Sequence, residues 1–334
     1  MGNKTSLDTL FKSRSTGNII KSGYKLYTEN FRSIFKASWH TAVLYSIACA
    51  ILGTLSFTSL PLLTGLVPAT NGPSESIMPA IELIITFAAI IIMLIAGGLF
   101  ETAFYSRGIS LLVHHSATNT IPVPKGWFTF DMNTAWRTLK AVLSCLAIVI
   151  VPATAFGCFW KFRLSMMLIE PSAHVLTLAL AFTSVCIVAI ILLPLAPISM
   201  KYVLNAGTRF WPLLAREYTV YLRRYTGKII GVGFVCAIII TVVEHVTALP
   251  ASVITMANIQ AYIGMANGDP LGMPDYITAL TAGTFFIAGF MKAYVRMSIV
   301  FVTYYLYGAI ETDENGRRQM AETVYKTDNR NQTL

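Results

Sequence analysis

The chain has 334 residues, 55% of them hydrophobic and 12% charged, with 25 Lys and Arg against 16 Asp and Glu for a net charge of +9. An ordinary soluble domain carries about 25% charged residues, and a mean hydropathy of +0.62 is too high for a chain that must wet its whole surface. The apolar residues fall in blocks of about twenty or more, the length that crosses a bilayer core as a helix, which excludes an ordinary soluble enzyme, a disordered chain and a disulfide scaffold.

Residues 1–38 are polar and basic, with no cleavable signal pattern, so the first apolar block is expected to act as an uncleaved anchor. The opening MGNKTS fits a myristoylation pattern, but one acyl chain adds little to a protein already held by several helices. Six apolar blocks follow, at about 39–63, 79–105, 138–159, 174–200, 228–249 and 278–310. Their runs are continuous rather than alternating, so they read as helices and not as barrel strands. The 39–310 region is therefore an all-α, six-span transmembrane domain. Residues 311–334 are polar, and a mobile cytoplasmic tail is expected there.

Lys and Arg in the connections set orientation. Before the first span lie Lys4, Lys12, Arg14, Lys21, Lys25, Arg32 and Lys36. Between the second and third are Arg107, Lys125, Arg137 and Lys140, and between the fourth and fifth Lys201, Arg209, Arg216, Arg223, Arg224 and Lys228. The tail holds Arg317, Arg318, Lys326 and Arg330. That places 21 of the 25 basic residues on one side. Only Lys161 and Arg163 lie opposite, and Lys292 and Arg296 fall inside the sixth span. The expectation is a multi-pass inner-membrane protein with both termini cytoplasmic. The positive charge then follows the topology and is no sign of nucleic acid. Membrane lipids are the expected partners, with a protein partner or a second copy as further candidates.

Three basic, aromatic segments precede the odd-numbered spans: 24–37, 126–138 and 216–227. Aromatics at helical spacing beside Lys or Arg suit a helix lying in the headgroup plane. In the third, Tyr218, Tyr221, Leu222 and Tyr225 make one stripe at i, i+3, i+4 and i+7. The pattern predicts three repeats of interfacial helix, span out and span back. Arg32, Lys36, Arg137, Lys140, Arg223, Arg224 and Lys228 are its candidate lipid-headgroup contacts. The second and sixth spans also align, Gly98 with Gly289, which sets Glu101 opposite Lys292.

This layout resembles the membrane-domain superfamily found fused to some glycerophosphodiester phosphodiesterases, and its stand-alone bacterial relatives. The residues that carry the resemblance are Tyr218, Tyr221, Arg223, Arg224, Tyr225, Gly227 and Lys228 before the fifth span, with Tyr27, Phe31, Phe35 and Lys36 before the first. The resemblance is architectural and covers most of the chain. It implies an integral membrane module without hydrolase activity, because no soluble stretch is long enough for the catalytic barrel.

Ionisable groups inside lipid are expensive and draw attention as functional candidates. Glu101, Lys292 and Arg296 are the intramembrane set, read either as a polar pathway or as an ion pair joining the second and sixth spans. Glu170, His174, Glu244 and His245 are outer-face candidates, where carboxylate and imidazole together can carry protons or bind metal. Their spacing matches no ligand motif, and hydrated helix ends at the interface are the simpler reading. No nucleotide loop, zinc-protease or serine-hydrolase motif is present. The five cysteines lie in apolar spans without a Cys-x-x-Cys pair, so no disulfide framework, metal or cofactor is expected. The sequence points to a non-enzymatic membrane module acting through lipid or protein partners, or alternatively to a small-solute or ion permease lined by Glu101, Lys292 and Arg296.

Overall fold

The structure, a computed structural model, describes residues 10–64, 77–122, 131–167, 182–183, 188, 192–266, 274 and 276–332. Among the described residues it is all-helical, with eight helices: α1 (Thr16–Glu29), α2 (Phe31–Thr64), α3 (Ile77–Thr118), α4 (Met132–Met167), α5 (Leu195–Leu204), α6 (Phe210–Arg224), α7 (Thr226–Ala266) and α8 (Ile277–Gln332).

Short polar residues set the helix boundaries. Asn30 ends α1 and starts α2. Its Nδ2 donates to Leu26 O at 3.0 Å, and its own carbonyl accepts from Ser33 and Ile34 N–H. The expected interfacial segment 24–37 is therefore broken in two at Asn30. A similar one-residue joint at Tyr225 separates α6 from α7, with Tyr225 N–H bonded to Tyr221 O and Tyr225 O accepting from Ile229 N–H. Here the amphipathic helix spans Phe210–Arg224 and begins earlier than 216. At the end of α3, Asn119 takes the left-handed conformation (φ 54°) and its N–H closes on His115 O, a conformation Asn tolerates at a helix C-terminus. The carboxylate of Asp131 accepts from Asn133 N–H and from the Thr134 hydroxyl, capping the first turn of α4. Residues 123–130 lie outside the described residues, so the second interfacial segment is seen only from α4 onward.

Among the described residues, five helices are long and apolar enough to cross a membrane, over Phe31–Ser59, Ile84–Thr118, Met132–Ile150, Thr226–Ala261 and Ile277–Thr323. The fourth predicted span, 174–200, falls mostly outside the described residues. Its end forms α5, which packs on α4 and α6. Outward faces are apolar: Ile84, Ile85, Ile91, Ile92 and Ile95 on α3, and Phe234, Val242, Val246 and Val253 on α7, are all exposed. A soluble monomer rarely leaves so continuous an apolar face bare, whereas lipid covers it without cost.

Several helices outrun their apolar blocks. α3 continues past Tyr105 to Thr118. α7 runs through Pro250 to Ala266, well past the predicted end of its span near 249. α8 continues to Gln332, so the polar residues after Ile310 prolong the helix.

The chain divides into two compact units. One comprises Met1–Ile34, Ile109–Ala237 and Ser298–Leu334, the other Phe35–Gly108 and Ile238–Met297. The core of the first is aromatic: Tyr221, Phe301, Tyr304 and Tyr305 are buried with Ile19, Ile198 and Ile310. His115 is buried there too and its Nδ1 lies 2.9 Å from the Tyr304 hydroxyl. In the second unit Phe104, Met297, Ala42 and Phe57 are buried, and Asn258 Nδ2 of α7 donates to Phe57 O of α2 at 3.0 Å.

Candidate functional site

In the second unit α8 presents Lys292 and Arg296 one turn apart on one face. Arg296 Nη1 donates to Glu101 Oε1 at 3.1 Å. On its other edge Nε and Nη2 donate to the two oxygens of Glu244 at 2.5 and 3.3 Å. This forked geometry is the strong form of an Arg–carboxylate pair. Lys292 Nζ lies 3.5 Å from Glu244 Oε2, and the Tyr105 hydroxyl donates to Glu101 Oε1 at 2.8 Å. Tyr105, Glu101, Arg296, Glu244 and Lys292 thus form one chain of polar contacts drawn from α3, α7 and α8. Two carboxylates face two cations, so its formal charge is zero.

The network opens on a cavity of about 370 Å³. Glu244, His245 and Lys292 form its polar end, while Tyr45, Cys49 and Phe285 line its less polar side. His245 Nδ1 is 2.8 Å from Thr241 O. A carbonyl only accepts, so Nδ1 carries a proton and Nε2 is the acceptor in the neutral ring. Close approach of α2 and α8 shapes the wall: a Cβ placed on Gly289 would sit 2.8 Å from Cys49 Cβ.

The three intramembrane residues singled out in the sequence are therefore brought together, with a change of pairing. Glu101 contacts Arg296, one turn beyond Lys292, and Lys292 turns to Glu244. Glu244 was expected at a hydrated helix end. It sits near the middle of the 41-residue α7 because that helix continues through Pro250. Glu170 and His174 lie outside the described residues.

The candidate headgroup contacts separate into two groups. Arg32, Lys36, Lys140 and Arg223 are exposed, and Lys140 lies over the exposed Trp136 ring at 5.1 Å. Arg137, Arg224 and Lys228 have protein partners. Arg137 donates to the carbonyls of Tyr202, Asn205 and Ala206 and stacks over the Tyr202 ring at 4.2 Å. Arg224 Nη1 reaches Glu314 at 3.4 Å, and Lys228 Nζ reaches Asp313 at 2.6 Å.

Those contacts belong to an ion cluster that sequence reasoning missed. Lys201 is buried and bridges Glu217 at 3.4 Å and Glu311 at 2.8 Å. Tyr225 donates to Glu314 at 3.0 Å. Burial, with the charges of Glu311 and Glu217, pushes the Tyr221 hydroxyl well above its ordinary value. The signal available was the acid run Glu311, Asp313 and Glu314 directly after the last span, at the depth of the basic segment 216–228.

Among the described residues no group of three or more His, Cys, Asp or Glu side chains is arranged to hold a metal ion. Compared with protein-family models, curated proteins and solved structures, the chain has no match in any of the three. Over the described residues, fold and site together give an all-helical architecture with several membrane-compatible helices and a neutral four-charge network beside a cavity.

Proposed function

We propose that this chain is a multi-pass inner-membrane protein of six spans, both termini cytoplasmic, that passes a small polar solute or ion along the Glu101–Arg296–Glu244–Lys292 network. The observation that carries this reading is that the network borders a cavity of about 370 Å³ instead of being sealed by side chains. Four charges inside a membrane domain are costly, and an apolar replacement packs a bundle more cheaply. A site that must exchange partners with a charged or polar guest gives them a reason to be there. A pathway of this kind needs Arg296 and Lys292 to let go of Glu244 in turn, which a neutral network allows without net charge movement.

The second reading is a membrane module acting through lipid or protein partners, as the architectural resemblance implies. The mutual neutralisation of the four charges favours it, since two glutamates on one arginine make a stable tie between helices.

Cys49 lines the cavity and distinguishes the two. With the other four cysteines replaced by alanine, the protein is treated in right-side-out and inverted membrane vesicles with an anionic, membrane-impermeant methanethiosulfonate. A solute pathway predicts modification of Cys49 from at least one face, and slowing of that reaction by Lys292→Met, which removes the cation that attracts the reagent. No modification from either face refutes the pathway and leaves the module reading. Reporter fusions at residues 75 and 334 test the topology: export at the first and cytoplasmic activity at the second are expected.

A further inference from the structure

The first unit holds a second cavity, of about 350 Å³, with a different chemistry. Its lining is Lys12, Ser13, Arg14, Asn18, Lys21, Ser22 and Lys25. Asn18, Lys21, Ser22 and Lys25 fall at i, i+3, i+4 and i+7, so they make one face of α1. Lys12, Ser13 and Arg14, from the segment before α1, close the opposite side. Four cations line the cavity, and none of its lining residues is acidic. Two acids touch lining side chains, and each contact is weak or shared. Glu29 makes an exposed i,i+4 pair with Lys25 at 3.8 Å, a contact of little strength. Asp313, which accepts from the Ser13 hydroxyl, is held by Lys228.

Arg14 gives the cavity a fixed wall. It is buried, its Nη1 donates to Leu10 O at 2.9 Å and Lys12 O at 3.3 Å, and its guanidinium lies over the Tyr305 ring at 4.8 Å. Lys12, Lys21 and Lys25 are exposed and can swing into the cavity without leaving it. The start of α1 adds to the same field. Its first turn holds no acidic residue, and Ser15 supplies no side-chain cap, while a helix start carries partial positive charge.

We infer that this cavity is a phosphate-binding site, formed by Lys12, Lys21 and Lys25 against Arg14, with Asn18 and Ser22 as neutral donors. Four cations share one space, and an anion that enters it offsets their mutual repulsion. A phosphate offers at least two anionic oxygens and several acceptor lone pairs, which matches ammonium groups beside hydroxyl and amide donors. The volume exceeds what a bare phosphate fills, so the group is expected to arrive on a larger molecule. Two sources share this chemistry: the headgroup of an anionic phospholipid, and a soluble phosphate or phosphomonoester. The site is distinct from the network on Arg296 and does not rest on a transport role.

The test uses the full chain, purified in neutral maltoside detergent. Binding is followed by isothermal titration with inorganic phosphate and with dioctanoyl phosphatidic acid, at matched ionic strength set with chloride. The triple variant Lys12→Gln, Lys21→Gln, Lys25→Gln alters only exposed side chains. Arg209→Gln, an exposed basic residue outside the cavity, controls for general charge. The expected result is at least tenfold weaker binding in the triple variant and less than twofold change in Arg209→Gln. Saturable binding of inorganic phosphate identifies a soluble source. Binding of the short-chain lipid alone identifies a headgroup. Absence of saturable binding by either probe, or equal affinity in the parent and triple variant, overturns the site. Thermal midpoints of all variants in the absence of ligand, within a few degrees of the parent, confirm that lost binding is not lost folding.

Discussion

Arg296 Nε meets Glu244 Oε1 across 2.5 Å, tying α8 to α7, while Nη1 of the same guanidinium reaches Glu101 on α3. One side chain therefore bridges two carboxylates on two helices, and Lys292 beside Glu244 supplies the second positive charge. Removing it leaves both acids without their main partner. Arg296→Met is expected to destabilise the protein by about 3 kcal/mol, the scale for an uncompensated charge in a bilayer or a broken buried pair. Replacing all four charges together, with Glu101→Gln, Glu244→Gln, Lys292→Met and Arg296→Met, is expected to cost less than Arg296→Met alone. Thermal midpoints in detergent measure both. A quadruple loss equal to the sum of the single losses means that the groups act independently and the network contributes no coupling.

The helices, and Glu101, Lys292 and Arg296 as charges inside apolar runs, were legible in the sequence because each rests on local information: hydropathy over about twenty residues, or the charge itself. The pairing was not legible. A repeat alignment set Glu101 opposite Lys292, but which of two cations one turn apart meets a carboxylate depends on helix rotation and on a third helix. Glu244 was noticed and misplaced for a related reason. Pro250 suggests a helix end, since it removes one backbone donor and crowds the preceding turn, yet α7 continues through it, and an acid thought terminal becomes central. The ion cluster on Lys201 was hidden because its partners, Glu217 and Glu311, are separated by 94 positions. No local pattern joins them.

Glycine positions in α3 and α8 give a prediction with opposite signs. A Cβ added at Gly98 would meet no atom within 4 Å, and one added at Gly97 would meet only Ala48 Cβ at 3.8 Å. At Gly289, by contrast, a Cβ meets Cys49 Cβ at 2.8 Å and Sγ at 3.1 Å. Gly289→Ala is expected to push α8 from α2 and to cost about 1–3 kcal/mol, as overpacking does. Gly98→Ala is expected to be neutral or stabilising by up to about 1 kcal/mol, through helix propensity. Chemical denaturation in mixed micelles reads both. A similar loss at the two positions contradicts the close approach.

Arg137 holds the α5–α6 connection through several carbonyls at once. The last carbonyls of a helix lack intrahelical partners, and a planar guanidinium reaches several of them where an ammonium cannot. Arg137→Lys keeps the charge but loses the fork and the stacking on Tyr202. It is expected to cost about 1–3 kcal/mol, the scale for hydrogen bonds to a charged group. Hydrogen exchange is expected to quicken over residues 201–208 by tenfold or more. If Arg137→Lys and Arg137→Gln are both as slow to exchange as the parent, the connection is held by other contacts.

Tyr225 supplies a pH dependence of defined sign. It is buried, its hydroxyl donates to Glu314 Oε2 at 3.0 Å, and Arg224 and Arg318 also approach that carboxylate. Burial first, then the bond and charge of Glu314, push its hydroxyl from 10.0 up to about 12, against the opposing charge of Arg317. Folding therefore favours the neutral phenol. The stability this gives is fully present below the ordinary value and is lost as pH rises through the interval from 10.0 to about 12. Tyr225→Phe loses the hydrogen bond, at about 1 kcal/mol near neutrality, and also loses this part of the alkaline slope. The thermal midpoints of parent and variant are expected to converge as the pH climbs through that interval. Tyr221 titrates high in both proteins, so its contribution largely cancels in the difference. Midpoints that stay parallel across the interval show that Tyr225 does not titrate with folding.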